Sequence, residues 1–202
     1  MKNIKIYITN IGNINENLIT KELHEKILTY GSEKVRLEAL TSASFLRELL
    51  MEKKISNPTF KHNKFGKPYL KNDEHYFNIS HSYNYLAVVF AQEEVGIDIE
   101  LIDFKAARVK RKFTDLATLG NEADFYTKLW VLKEGFMKYL GVGMTIPLKE
   151  ITIEVTDEKE DLFKVSYLNS STSCRVVKFE DYYIGVCLDN ISNYNLTIER
   201  RF

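Results

Sequence analysis

A chain of 202 residues with 45% hydrophobic and 28% charged side chains can bury a substantial core, as one domain or as two small ones packed together. Lys plus Arg and Asp plus Glu stand at 28 each, so there is no basic excess for neutralising nucleic-acid phosphates, and any anion must be held by a local cluster. No run of about 18 apolar residues marks a membrane span, the alternating start through Ile6 lacks a signal-peptide core, and Cys174 and Cys187 are too few and too isolated for a disulfide framework or a zinc cluster. A cytoplasmic chain is expected.

Ile4, Ile6 and Ile8 alternate with Lys5 and Tyr7, the pattern of a half-buried strand. A helix with Leu23 and Ile27 on its inner face stops at Gly31. Ser32 caps the next helix, whose stripe is Val35, Ala39, Ala43, Leu46 and Leu50. Asn57-Pro58 and Gly66-Lys67-Pro68 punctuate loops. Strand-like runs follow at 76–79, 85–91 and 95–99. After Asp103 the pattern turns helical, with a basic stretch over 105–112, and the strongest helix spans about 122–140 before Gly141-Val142-Gly143. From residue 151 onward, antiparallel strands are predicted at 151–155, 163–167, 174–179 and 182–188. Helices and strands mix without regular alternation, which predicts an α+β fold with largely antiparallel sheets. The aromatic-rich strands at 85–90 and 182–188 hint at a duplicated unit.

Val95-Gly96-Ile97-Asp98-Ile99-Glu100 holds the first chemical signal. In a strand, Ile97 and Ile99 point one way while Asp98 and Glu100 point the other, with their Cα atoms roughly 6.5–7 Å apart and within reach of one ion. The ordinary reading of such a pair is a strand with one solvated face. The helix around Trp130 sharpens the alternative. Phe125, Leu129, Leu132, Phe136 and Leu140 form its buried stripe, and at ~100° per residue Glu134 falls on the opposite side, one turn after Trp130 and one turn before Lys138. Either Glu134 and Lys138 are a surface pair, or Glu134 faces Asp98 and Glu100 across a cleft with Lys133 and Lys138 beside it. Three carboxylates with nearby lysines suit Mg²⁺ on a phosphate ester.

Gly96-Ile97-Asp98-Ile99-Glu100, followed about thirty residues later by Trp130-Val131-Leu132-Lys133-Glu134 and then Lys138, resembles the paired signature of 4'-phosphopantetheinyl transferases. Phe77-Asn78-Ile79-Ser80-His81-Ser82 and Gly66-Lys67-Pro68 are similar to two further motifs of that family, in the same order and spacing, so firm coverage runs over about 65–145. The chain's length resembles the surfactin-synthetase-activating type. That resemblance implies a pseudo-dimer of two similar α+β halves, here 1–100 and 101–202, each a mostly antiparallel sheet with a long helix, with coenzyme A in the cleft between them. It implies transfer of the phosphopantetheine arm to a serine of an apo acyl or peptidyl carrier protein, by a monomer that uses Mg²⁺ or Mn²⁺. Asp98, Glu100 and Glu134 would bind the metal; Lys34, Lys67, Ser80, His81, Asp98, Lys133 and Lys138 would contact coenzyme A; Glu134 and Lys138 would carry catalysis.

The chain departs from the family pattern at Ala117, where a Glu is common, so Glu134 or a metal-bound water becomes the expected base. An early-helix Arg is not clearly placed, with Ser44 near its position and Arg47 following, and Gly135 stands where Ala or Ser is common. The stretch of Lys105, Arg108, Lys110, Arg111 and Lys112 could face an acidic carrier helix or simply be a solvated face. Rival readings are a metal-dependent phosphodiesterase or nuclease on the same carboxylates, and a non-catalytic homologue that binds coenzyme A or a carrier. A Ser-His hydrolase at Ser80-His81 fails because adjacent residues of a strand point to opposite faces and no nucleophile elbow accompanies them.

Overall fold

The computed structural model describes residues 2–55, 57–71 and 74–202. Strand β1 (Lys2–Asn10) leads through α1 (Lys21–Leu28) to α2 (Glu33–Glu52), whose Ser32 cap accepts the Val35 N–H at 3.2 Å. A hairpin of β2 (Phe60–His62) and β3 (Pro68–Leu70) precedes β4 (Tyr76–Ser82), β5 (Tyr85–Ala91) and β6 (Gly96–Leu101). Short α3 (Phe104–Val109) and long α4 (Glu122–Leu140) come next. The chain then runs through β7 (Thr152–Asp157), β8 (Leu162–Tyr167), β9 (Ser170–Phe179), β10 (Tyr182–Leu188) and β11 (Tyr194–Arg201).

One sheet has the order β11-β1-β5-β4, with β1 and β11 parallel and the other pairs antiparallel. The other has the order β6-β10-β9-β8-β7 and is antiparallel throughout. The α+β class with mainly antiparallel sheets is therefore observed. Strand β11 lies outside the predicted strands, although Leu196 and Ile198 alternate with polar neighbours there. Because β6 joins the second sheet and β11 returns to the first, the sheets do not divide at residue 100.

The two sheets face each other across Ile4, Ile6, Ile8, Ala87 and Val89 on one side and Ile97, Ile99, Ile184 and Val186 on the other. Helix α2 covers the outer face of the first sheet with Phe45, Leu46, Leu49 and Leu50 against Phe77, Leu86, Val88 and Phe90. Helix α4 covers the second with Val131, Leu132, Phe136 and Met137 against Val165, Val176 and Tyr183. Every residue of β5 and β10 is buried, because both faces of each strand are covered. Their sequences accordingly read as continuous apolar runs instead of alternating ones. Each fully buried Leu, Ile or Phe contributes about 1.5–3 kcal/mol. Among the described residues no helix is long and apolar enough to cross a membrane.

Helix α4 is buried more widely than a single stripe allows. Tyr126, Leu129 and Lys133 are covered as well, because α3 and the Phe113 segment pack on the helix beside the sheet. Its seat on the sheet depends on glycine. A Cβ on Gly96 would lie 2.0 Å from the Gly135 carbonyl oxygen and 2.3 Å from the Tyr139 nitrogen, and one on Gly185 would lie 2.6 Å from the Val131 carbonyl oxygen. These are backbone atoms and cannot swing aside.

Two sequence expectations are corrected in this layer. Cys174 and Cys187 stand opposite each other in the β9–β10 ladder, with Cα atoms 4.1 Å apart, and form a disulfide. The pairing of a hairpin, invisible in their separation along the chain, brings them together. Lys133 was expected to contact coenzyme A, yet it is 4% exposed and donates to the carbonyls of Phe113, Leu148 and Ile151 at 2.8, 2.7 and 2.8 Å. Burial pushes its pKa down to about 8, while the three carbonyls take up its three donors. The ammonium thus ties the segments on either side of α4 to the helix.

Gly96→Ala is expected to lower the unfolding free energy by about 3 kcal/mol or more, whereas Gly31→Ala, with nothing within 4 Å of the added carbon, should change it by less than about 0.5 kcal/mol; urea titrations of the two variants check this. Lys133→Met leaves three interior carbonyls without their donor and should cost about 3 kcal/mol by the same measurement.

Candidate functional site

Strand β6 pairs with β10 along one edge only. Along its other edge the N–H groups meet side chains of β4. Ile97 N–H donates to Asn78 Oδ1 at 2.9 Å, Ile99 N–H to Ser80 Oγ at 3.3 Å and Leu101 N–H to Ser82 Oγ at 3.4 Å. Alternate residues of one strand thereby satisfy alternate amides of another, and β4 of the first sheet is stitched to β6 of the second. The two hydroxyls then donate onward. Ser80 Oγ–H reaches Asp98 Oδ1 at 2.8 Å, and Ser82 Oγ–H makes a very short bond to Glu100 Oε2.

From the other side α4 supplies Glu134 and, one turn later, Lys138. The Lys138 ammonium donates to both Asp98 Oδ1 and Ser80 Oγ at 2.7 Å. Asp98 is 5% exposed. Burial first, and then the charges of Asp98 and Glu100, push the Glu134 pKa up to about 7, against the pull of Lys138. Burial likewise raises Glu100, with Asp98 adding to the rise, while the Ser82 hydrogen bond and Lys105 act against it. The three carboxylates therefore share one field, as the sequence spacing predicts.

Among the described residues, no three such groups form a ready metal cluster. Lys138 sits at Asp98, and Lys105 Nζ lies 3.6 Å from Glu100 Oε1. A hard divalent cation nevertheless suits the donor set. Asp98 Oδ2 and Glu134 Oε1 are buried without a hydrogen-bond partner, and a double positive charge among three mutually repelling carboxylates would reverse the cost of their proximity.

Other predicted contacts are placed differently. Lys67 Nζ donates to Glu94 Oε2 at 2.7 Å and to the carbonyls of Val95 and Tyr139 at 3.1 and 3.3 Å, so its ammonium braces the β2–β3 turn against the end of α4. Asn63 Nδ2 joins it there by donating to the Gly141 carbonyl at 2.6 Å. A cavity of ≈ 310 Å³ separates that turn, at Phe65, Gly66 and Pro68, from Glu134, Lys138 and Met144. His81 and Lys34 both approach Glu38 of α2. Burial lowers the His81 pKa, Glu38 counters it, and Lys138 and Lys34 add to the lowering. Trp130 packs edge-on against Phe113, with ring centroids 5.2 Å apart, and is a side-chain contact of the α3 layer. Asn78, Ser82 and Glu38 carry roles that the sequence reading did not assign. For the first two the signal was present: Asn78, Ser80 and Ser82 place polar groups on one face of a strand.

Residues 94–187 match the model of the 4'-phosphopantetheinyl transferase superfamily, a span that holds β6, α4 and the three carboxylates. The chain is 25% identical over 192 residues to the 4'-phosphopantetheinyl transferase gsp of Aneurinibacillus migulanus, covering 89% of this chain and 81% of that protein. Against the 4'-phosphopantetheinyl transferase Sfp of Bacillus subtilis (strain 168) the identity is 27% over 163 residues, 74% of this chain and 70% of that one. The human L-aminoadipate-semialdehyde dehydrogenase-phosphopantetheinyl transferase is 30% identical over 176 residues, 73% of this chain and 56% of its own length. The shared segment carries the very carboxylates and lysine that the fold gathers at the seam of its two sheets, so it is in this segment that the chain is similar to the 4'-phosphopantetheinyl transferase superfamily.

Proposed function

We propose that this protein transfers the 4'-phosphopantetheine moiety of coenzyme A to a serine of an apo acyl or peptidyl carrier protein and releases 3',5'-bisphosphoadenosine. One observation carries the reading: Asp98 of β6 is held at the seam by Ser80 of β4 and Lys138 of α4, with Glu134 and Glu100 in the same field. The two sheet-and-helix layers are taken as two copies of one α+β unit, α2 on the first sheet and α4 on the second, with β6 and β11 exchanged between them. The enzyme is taken to act as a cytoplasmic monomer, with coenzyme A in the cleft.

Asp98, Glu100 and Glu134 would hold Mg²⁺. When bound, the ion neutralises charge on the diphosphate oxygens. Lys138, two of whose donors already point at Asp98 and Ser80, keeps a third for a phosphate oxygen. In the reaction the carrier's serine oxygen forms a bond to the β-phosphorus. The bond from that phosphorus to the bridging oxygen breaks, and the electron pair leaves with the bisphosphoadenosine. The serine proton would go to Glu134, a carboxylate whose buried Oε1 has no hydrogen-bond partner. Ala117 lies exposed in the loop after Phe113 and offers no carboxylate for that task.

The basic stretch is split by the structure. Lys105 and Lys110 are paired with Glu100 and Glu122, whereas among the described residues Arg108, Arg111 and Lys112 have no acidic partner. Those three cations, beside the exposed Phe104 and Leu116, would meet the acidic helix of the carrier.

Incubation with Mg²⁺, coenzyme A and an apo carrier protein should add the mass of one phosphopantetheine arm to the carrier, read by intact-mass spectrometry; no addition on any apo carrier, with a control enzyme active, would refute the function. Asp98→Asn should lower kcat at least about 100-fold with an unchanged circular dichroism spectrum, and full activity in that variant would remove the carboxylate argument. Arg108→Glu together with Lys112→Glu should raise KM for the carrier about tenfold at low salt, with the difference shrinking as salt rises.

A further inference from the structure

Glu38 stands on α2 one turn beyond Lys34, and its carboxylate is only 12% exposed although Lys34 is 74% exposed and His81 45%. One oxygen, Oε1, lies 3.7 Å from Lys34 Nζ and 3.6 Å from His81 Nδ1. Beyond His81 come the Lys138 ammonium and Asp98, both of which act on the His81 ring through their charge. A carboxylate is thus lodged between the Lys34 ammonium and the His81 imidazole. Lysine and histidine facing a nucleotide cleft are groups that take phosphate oxygens, and here an acid residue of the same chain already engages them both.

We propose that Glu38 is a specificity-determining residue of the cleft: it stands as a built-in anion between Lys34 and His81, weakens the grip on a 3'-phosphate, and lets the enzyme accept dephospho-coenzyme A as a second pantetheine donor. The inference rests on the reading of this cleft as the coenzyme A site. The 3'-phosphate would gain the lysine and the imidazole only in competition with the carboxylate, and would stand within one residue's reach of a like charge. The diphosphate, by contrast, lies at Lys138 and the carboxylates, where dephospho-coenzyme A and coenzyme A are the same. Transfer from either donor breaks the same phosphorus–oxygen bond, with 5'-adenylate leaving from the dephospho form in place of the bisphosphate.

Calorimetric titration of the parent protein and of Glu38→Gln, with coenzyme A and with dephospho-coenzyme A in the presence of Mg²⁺, tests this. The isosteric change should raise the affinity ratio of coenzyme A over its dephospho form about tenfold, chiefly by tightening coenzyme A, with the gain fading at high salt. The NMR titration of His81 should move to lower pH in the variant, because the carboxylate that favours its charged form is gone while Lys34 and Lys138 remain and Asp98 alone opposes them. Lys34→Gln provides an independent arm. It leaves the carboxylate to His81 and should lower the same ratio several-fold from the parent value. A ratio altered less than twofold in both variants, or an unmoved His81 titration in Glu38→Gln, overturns the inference while coenzyme A binding to the parent leaves the function standing. A parent protein that binds neither nucleotide overturns both.

Discussion

The site depends on how the free edge of β6 is satisfied. A strand at the rim of a sheet presents amides that must find partners if they are buried. Among the described residues no backbone supplies them. The side chains of Asn78, Ser80 and Ser82 do, at the spacing of two that a strand imposes on both partners. A buried amide left unpaired costs about 1–3 kcal/mol, so three in register fix how far β6 slides along β4. A slip of one residue would turn Ile97 and Ile99 out of the inter-sheet core and Asp98 and Glu100 into it. Register and carboxylate position are therefore a single constraint.

Serine is the residue type that meets the demand at two of these positions. Its hydroxyl accepts from the amide and donates to the carboxylate of the residue just before that amide in the strand. An alanine would fail both tasks, and an aspartate would accept without donating and add a like charge. The amide oxygen of Asn78 suffices at the third position because Ile97 is followed by no task other than alignment. The other wall, α4, is held to the same sheet by the contacts around Gly96, Gly135 and Gly185. Backbone meets backbone there, so Glu134 and Lys138 are placed with little slack. This accounts for a glycine in the middle of a helix, where propensity alone argues against one at about 1 kcal/mol.

Much of this was legible from residue types. The period-two pattern located β1, continuous apolar and aromatic runs located β5 and β10, the capping Ser32 and the stop at Gly141 bounded the long helices, and the spacing of Asp98, Glu100, Glu134 and Lys138 selected the residues that meet. What escaped has a common physical cause: it depends on which side chain finds which backbone group across the chain. Lys133 reads as one more lysine beside an acidic residue, and only the arrival of three carbonyls from residues 113, 148 and 151 turns it inward. Lys67 is drawn by Glu94 and by the carbonyl end of α4, where the helix dipole favours a cation. The Cys174–Cys187 pair needed the hairpin register, and β11 needed a parallel partner from the opposite end of the chain. Local pattern predicts elements; it does not predict whom a long polar side chain will satisfy.

The charges in the cleft show why such partners matter for function. Lys34 and His81 both approach Glu38, Lys138 pairs with Asp98, and Lys105 does the same for Glu100. A cleft meant for a highly charged ligand would be costly to fold if its cations and its carboxylates each stood alone. Pairing them with one another offsets that cost in the protein by itself. Glu134 is the group left outside these pairs: its Oε1 has no hydrogen-bond partner and its pKa stands near 7.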